Sequence, residues 1–136
     1  MKMIKYHWQL DVYKLAVDAA MKIFELTKKF PMEERYSLTD QVRRSSRSTS
    51  AQIAESWRRR KYEAVFVNKL NEAEGEAAET QGWLEYAVKC GYVTRTAGRE
   101  IPKSYDVVPG KLVIMGNNPE AWLLRKSRDT RRSESH

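Results

Sequence analysis

Apolar residues recur along this chain at alternating spacings of four and three, the period that gathers them on one face of an α-helix. Val12, Ala16, Ala19, Ile23, Leu26 and Phe30 form the first such seam. They predict a helix over Asp11 to Lys29, with Asp11 as N-cap and Pro31 as its stop, because a proline disfavours helical geometry at the residue before it. Ser37 to Asp40 resemble a capping box with Asp in place of the usual Glu, opening a second helix that runs to about Arg59. Counting 100° per residue places Leu38, Val42, Ser45, Thr49, Ile53 and Ser56 on its inward face. Most of these side chains are small, so the helix calls for large partners such as Phe24, Phe66 or Trp83 opposite.

A third and longest helix is predicted over Tyr62 to Cys90, where Phe66, Leu70, Ala73, Ala77, Thr80, Leu84 and Ala87 repeat the four-three alternation. Gly75 and Gly82 interrupt it at about 1 kcal/mol each relative to Ala, and a close helix crossing is the expected compensation. Gly91 supplies the stop. Beyond Thr94 the face continues in Ile101, Tyr105, Val108, Leu112 and Met115, but Gly98, Pro102, Pro109 and Gly110 are scattered through it. An interior proline costs roughly 3 kcal/mol, which predicts a fourth helix kinked or shortened at Pro109. Asn118 and Pro119 open a last turn anchored by Trp122. The expected architecture is therefore all-α, an antiparallel four-helix bundle over residues 1–124 followed by a basic, disordered tail over 125–136.

Composition agrees with this reading. In 136 residues there are only 6 Gly and 4 Pro, with 41% hydrophobic and 32% charged residues, a balance suited to long amphipathic helices in one domain. No apolar stretch approaches the roughly 20 residues that span a bilayer, and the first ten residues have no apolar signal core. The single cysteine, Cys90, fits a reducing compartment, so a cytoplasmic protein without membrane contact is expected.

The candidate chemistry is mostly negative. The two histidines, His7 and His136, lie outside the long helices, so the Glu-x-x-His pairs of a metal-carrying bundle cannot be assembled. Cys90 and the serines from Ser45 to Ser50 have no helical histidine to act as base, and there is no Gly-rich phosphate loop. The glutamates of the third helix read as a solvated face, with Glu63 and Glu76 nearest the core edge. A non-enzymatic protein that needs no cofactor is expected.

Charge adds the positive signal. The formal net charge is +7 and the sequence pI about 9.6, which attracts polyanions at a distance. Arg43, Arg44, Arg47, Arg58, Arg59, Arg60 and Lys61 crowd in or just after the second helix, and Arg44, Arg47 and Arg58 fall on the side opposite its core face. All of these but Arg60, with Arg125, Lys126 and Arg128 of the tail, are the candidate nucleic-acid-binding residues. The alternative is that the stripe meets glutamates of the third helix, in the same or a neighbouring subunit.

The stretch from Asp40 to Trp57, DQVRRSSRSTSAQIAESW, resembles the second-helix signature of the four-helix-bundle proteins encoded in ribosomal-RNA intervening sequences. Phe30, Pro31, Glu33, Glu34, Arg35 and Tyr36 are similar to that family's first loop, and Cys90, Gly91 and Tyr92 to the end of its third helix. The likeness extends from Trp8 to Trp122. Gln52 stands where an Asn is common, and Pro109 and Gly110 fall inside the fourth helix. The resemblance implies that the antiparallel four-helix bundle has the up-down order of helices and assembles as a ring-shaped homopentamer with a central channel. It also implies kinship with accessory proteins of diversity-generating retroelements, which bind a reverse transcriptase and nucleic acid through basic surfaces. It supplies no catalytic residue.

The leading expectation is an oligomeric scaffold that binds RNA, DNA or a ribonucleoprotein. A module docking a partner such as a reverse transcriptase, or a self-associating protein whose exposed Trp57, Tyr62 or Trp83 mark the subunit contact, are the alternatives.

Overall fold

The structure, a computed structural model, describes residues 3–124. Four helices carry it: α1 (Asp11–Thr27), α2 (Leu38–Arg58), α3 (Glu63–Lys89) and α4 (Arg95–Asn117), with short 3₁₀ turns at His7–Gln9, Met32–Glu34 and Pro119–Ala121. No strand occurs among the described residues. The helices pack as α1 with α2, α2 with α3, α3 with α4, and α4 back on α1, the closed circuit of an up-down bundle.

The predicted seams form the core. All six inward residues of α2 and all seven of α3 are buried. In α1 the seam passes through Thr27 instead of the half-buried Leu26. Asp11 is the first helical residue, and Leu10 holds the N-cap position. Large side chains gather at the two ends of the bundle. One cluster includes Leu10, Ile53, Trp57, Phe66, Leu70, Leu112 and Met115; the other includes Ile23, Phe30, Val42, Leu84, Ile101 and Tyr105.

Between the clusters runs a waist of small residues. Ala16 and Ala19 from α1, Ser45 and Thr49 from α2, and Ala73 and Ala77 from α3 are all buried. The Ser45 and Thr80 hydroxyls share a hydrogen bond of 2.7 Å between α2 and α3, so the polar groups of this layer are satisfied without water. Tyr105 on α4 is fully buried beside the waist, its phenol oxygen without a well-formed hydrogen bond, and burial pushes its pKa upward.

Two local expectations fail for physical reasons. Ser37 precedes α2, but its side chain does not cap the helix. Glu34 does: its carboxylate accepts from the Leu38 amide at 3.3 Å, from the Ser37 hydroxyl, and from the Tyr92 hydroxyl at 2.9 Å. It ties the α1–α2 loop to the end of α3. The helix terminus is thus served by a longer acid reaching from outside it. Gly75 and Gly82 face open space, not a neighbouring helix. The close approach is at buried Gly98 on α4, where an added Cβ would lie 2.4 Å from Cγ2 of Val88. Gly91 ends α3 as expected, with φ of 78° and the Tyr92 amide donating to the Ala87 carbonyl at 2.9 Å.

The fourth helix is continuous through Pro109 over 23 residues, and it bends at 102–104. Pro102 has no amide hydrogen for the helical ladder, which accounts for a bend there. At Pro109 the cost is carried by burial of Tyr105, Val108, Leu112 and Met115 on the same face. Asn118 and Pro119 open the final turn, and Trp122 closes it by packing edge-on against Trp57 at 6.1 Å between ring centres.

Two measurements check this description. Gly98→Ala should destabilise the protein by about 1–3 kcal/mol in urea unfolding, because a β-branched valine cannot yield easily. Gly75→Ala should instead stabilise it by about 0.5–1 kcal/mol. Bonds from Ser37, Tyr92 and Leu38 hold the Glu34 carboxyl below the usual glutamate range. A depressed folded-state pKa contributes stability that is present above the unfolded value and lost as pH falls through the folded one. Glu34→Gln should therefore lower the melting temperature at neutral pH, with the difference narrowing as the pH is taken below the ordinary glutamate range. A difference unchanged by pH would contradict the role given to Glu34.

Candidate nucleic-acid interface

Because the inward face of α2 is fixed by the waist, its arginines are turned outward in two groups. The first lies midway along the helix. Arg35, Arg43, Arg44 and Arg47, with Asp40 and Ser48, line a shallow open groove of about 540 Å³. Arg43 is half-buried: its Nε donates to the Thr27 hydroxyl at 2.7 Å, and its guanidinium lies 4.9 Å from the ring centre of Phe24. Arg47 covers the same ring at 5.7 Å. Phe24, expected as a core partner of the second helix, serves as a platform for three cations, Lys28 at 4.9 Å being the third.

Arg44 takes the other role foreseen for the stripe. It contacts Glu79 directly and reaches Glu76 at 3.6 Å, both on α3 of the same chain. Glu76 is half-buried, one of its carboxylate oxygens makes no hydrogen bond, and burial, followed by the charge of Glu79, raises its pKa despite Arg44. Glu63, the other glutamate singled out in the sequence, is exposed at the start of α3.

The second group sits where α2 ends. Arg58, Arg59 and Lys61 are exposed. Arg59 approaches Glu55 at 3.8 Å, a weak pair one turn back. Arg43, Arg47, Arg58 and Lys61 pair with no carboxylate among the described residues. Arg60, part of the basic run but not among the candidate binding residues, lies 3.6 Å over the Trp57 ring and donates to the Trp57 carbonyl at 2.7 Å. Trp57 itself is only 4% exposed. It belongs to the core and marks no subunit contact. Trp83 is half-buried, with its indole nitrogen donating to Glu79 at 3.3 Å, and Tyr62 is exposed. Arg125, Lys126 and Arg128, with the rest of the 125–136 tail, lie outside the described residues.

The geometry can be set beside known proteins. The model of the 23S rRNA-intervening sequence proteins matches residues 8–113, most of the chain. The chain belongs to this family. A solved structure from the S23 ribosomal protein family of Bacteroides thetaiotaomicron, of a protein of unknown function, is similar to it. That structure is 30% identical, has a TM-score of 0.69, and covers 76% of this chain and 96% of its own. A search of the curated proteins finds no match. The 23S rRNA-intervening sequence proteins thus supply a fold and a family, and the matched span includes both arginine groups on and after α2.

No helix among the described residues is long and apolar enough to cross a membrane. Arg35 is the groove arginine that was not among the candidate binding residues, because it stands in a loop outside the helical stripe.

Proposed function

We propose that this chain is a non-enzymatic, self-associating scaffold that binds nucleic acid through phosphate contacts along the outer face of α2. The observation that carries this reading is charge left unneutralised inside the chain. Arg47, Arg58 and Lys61 are exposed and meet no carboxylate among the described residues, whereas Arg44 is held by Glu76 and Glu79. Stacking on Phe24 limits the motion of Arg43 and Arg47, which lowers the ordering cost of a phosphate contact. The net charge of +7 supports the same reading by favouring encounter with a polyanion. Contacts of this type hold the backbone and read no bases, so binding is expected to be general in sequence.

Self-association has its own support. Val107 and Ile114 lie two turns apart on one face of α4 and are exposed, Ile114 to 69%, and exposed apolar side chains on one helix face favour contact with another chain.

Titration of labelled RNA and DNA against salt tests the nucleic-acid reading. Affinity should fall linearly with log salt. Changing Arg47, Arg58 and Lys61 together to Gln should weaken binding to all sequences and reduce the slope by about 3, one for each cation removed. Absent binding at low salt, or a slope unchanged in the triple variant, contradicts the proposal. A pull-down from nuclease-treated extract separates a direct protein partner from one held through nucleic acid.

A further inference from the structure

The up-down topology brings three separate chain segments to one end of the bundle: the residues before α1, the α2–α3 loop, and the turn after α4. Trp57 joins them. Its indole nitrogen donates to the Lys5 carbonyl at 3.0 Å, its ring lies under Arg60 at 3.6 Å, and its edge packs against Trp122. Around this junction the surface is both aromatic and basic.

Tyr6 and Trp8 stack in parallel, with ring centres 4.4 Å apart and an angle of 4° between planes. They remain 43% and 54% exposed. The pair is held in place, since the Gln9 side-chain oxygen accepts from the Lys5 amide at 2.8 Å and the Tyr6 amide at 2.9 Å. His7 braces it further, edge-on to Trp8 at 5.2 Å and to Tyr13 at 4.8 Å. Tyr62, at the N-cap of α3, is 57% exposed, and Arg58, Arg59 and Lys61 precede it directly. The chain leaves α4 at this same end. The four carboxylates here, Asp11, Glu55, Glu63 and Glu120, face five cations among the described residues, Lys5, Arg58, Arg59, Arg60 and Lys61.

Rigid exposed rings next to exposed cations, of which Arg59 alone has a carboxylate neighbour among the described residues, Glu55 at 3.8 Å, fit a strand whose phosphates and base faces are both available. A duplex offers phosphates but keeps its base faces stacked inside, and an acidic protein surface offers no π faces in register with its charges. Stacking on aromatic side chains is the recurrent way to hold a single strand without reading its sequence. We infer that this end of the bundle is a binding site for single-stranded nucleic acid, with Tyr6, Trp8 and Tyr62 as stacking platforms and Arg58, Arg59 and Lys61 as phosphate contacts. This inference rests on the nucleic-acid reading above and adds to it the form of the ligand and the place of its bases. Lys5 and Tyr6 lie outside the 8–113 span shared with the family model.

The experiment compares fluorescein-labelled thymidine and uridine oligomers of about 12 nucleotides with a duplex of equal length at one salt concentration. Anisotropy is read on the full chain and on two variants, Trp8→Ala and Tyr62→Ala, each first checked by its melting curve. Tyr62 stands on a different element, so failure of the N-terminal turn in one variant leaves the other informative. The expected result is single-strand binding tighter than duplex binding, reduced about tenfold in either variant with duplex affinity unchanged. If duplex and single strand bind alike and neither variant changes the single-strand affinity, the inference is overturned while the phosphate-binding proposal stands. If neither form binds, both are overturned.

Discussion

The architecture depends on how closely four helices can approach at the waist of the bundle. Ala16, Ala19, Ser45, Thr49, Ala73 and Ala77 are too small to hold helices apart, and each is buried. Small side chains contribute little apolar area each, so stability must come from elsewhere. It comes from the large residues at both ends, Trp57 and Phe66 on one side, Ile23, Leu84 and Tyr105 on the other. The bond between the Ser45 and Thr80 hydroxyls fixes the register of α2 against α3 at the narrowest point, since a one-residue rotation would bury two unpaired hydroxyls.

That register decides the electrostatics. With Ser45 and Thr49 inward, Arg44 and Arg47 must face out, and only Arg44 falls within reach of glutamates on α3. The two rival accounts of the arginine stripe, internal ion pairs and a surface for a polyanion, therefore apply to different residues of one helix. Arg44 belongs to the first. Arg47, Arg58 and Lys61 are left for the second, and Phe24 orients one of them without removing its charge.

Much of this was legible in the sequence because helical periodicity is a local property. Phe66 to Ala87 announced the buried face of α3 residue by residue, and Gly91 its end. What was not legible needs tertiary distances. Glu34 caps α2 while also meeting Tyr92, 58 positions away. Gly98 sits against Val88, whereas Gly75 and Gly82, which look alike in sequence, face open space. Trp57 looked like an exposed subunit contact because the chain carries more large apolar residues than one slim bundle readily covers, and is core because Lys5 and Trp122 fold over it. Pro109 looked like a break, yet a face of buried side chains on either side carries the helix through.

The waist is tested most directly by enlarging it. Ala77→Leu adds a branched side chain to a fully buried position, and urea unfolding of this variant against the parent reads the consequence. Close packing predicts a loss of about 1–3 kcal/mol, because the helices must separate or distort to accept it. An unchanged midpoint would mean that the space was already there, and would contradict the claim that small residues at this level set the spacing of the bundle.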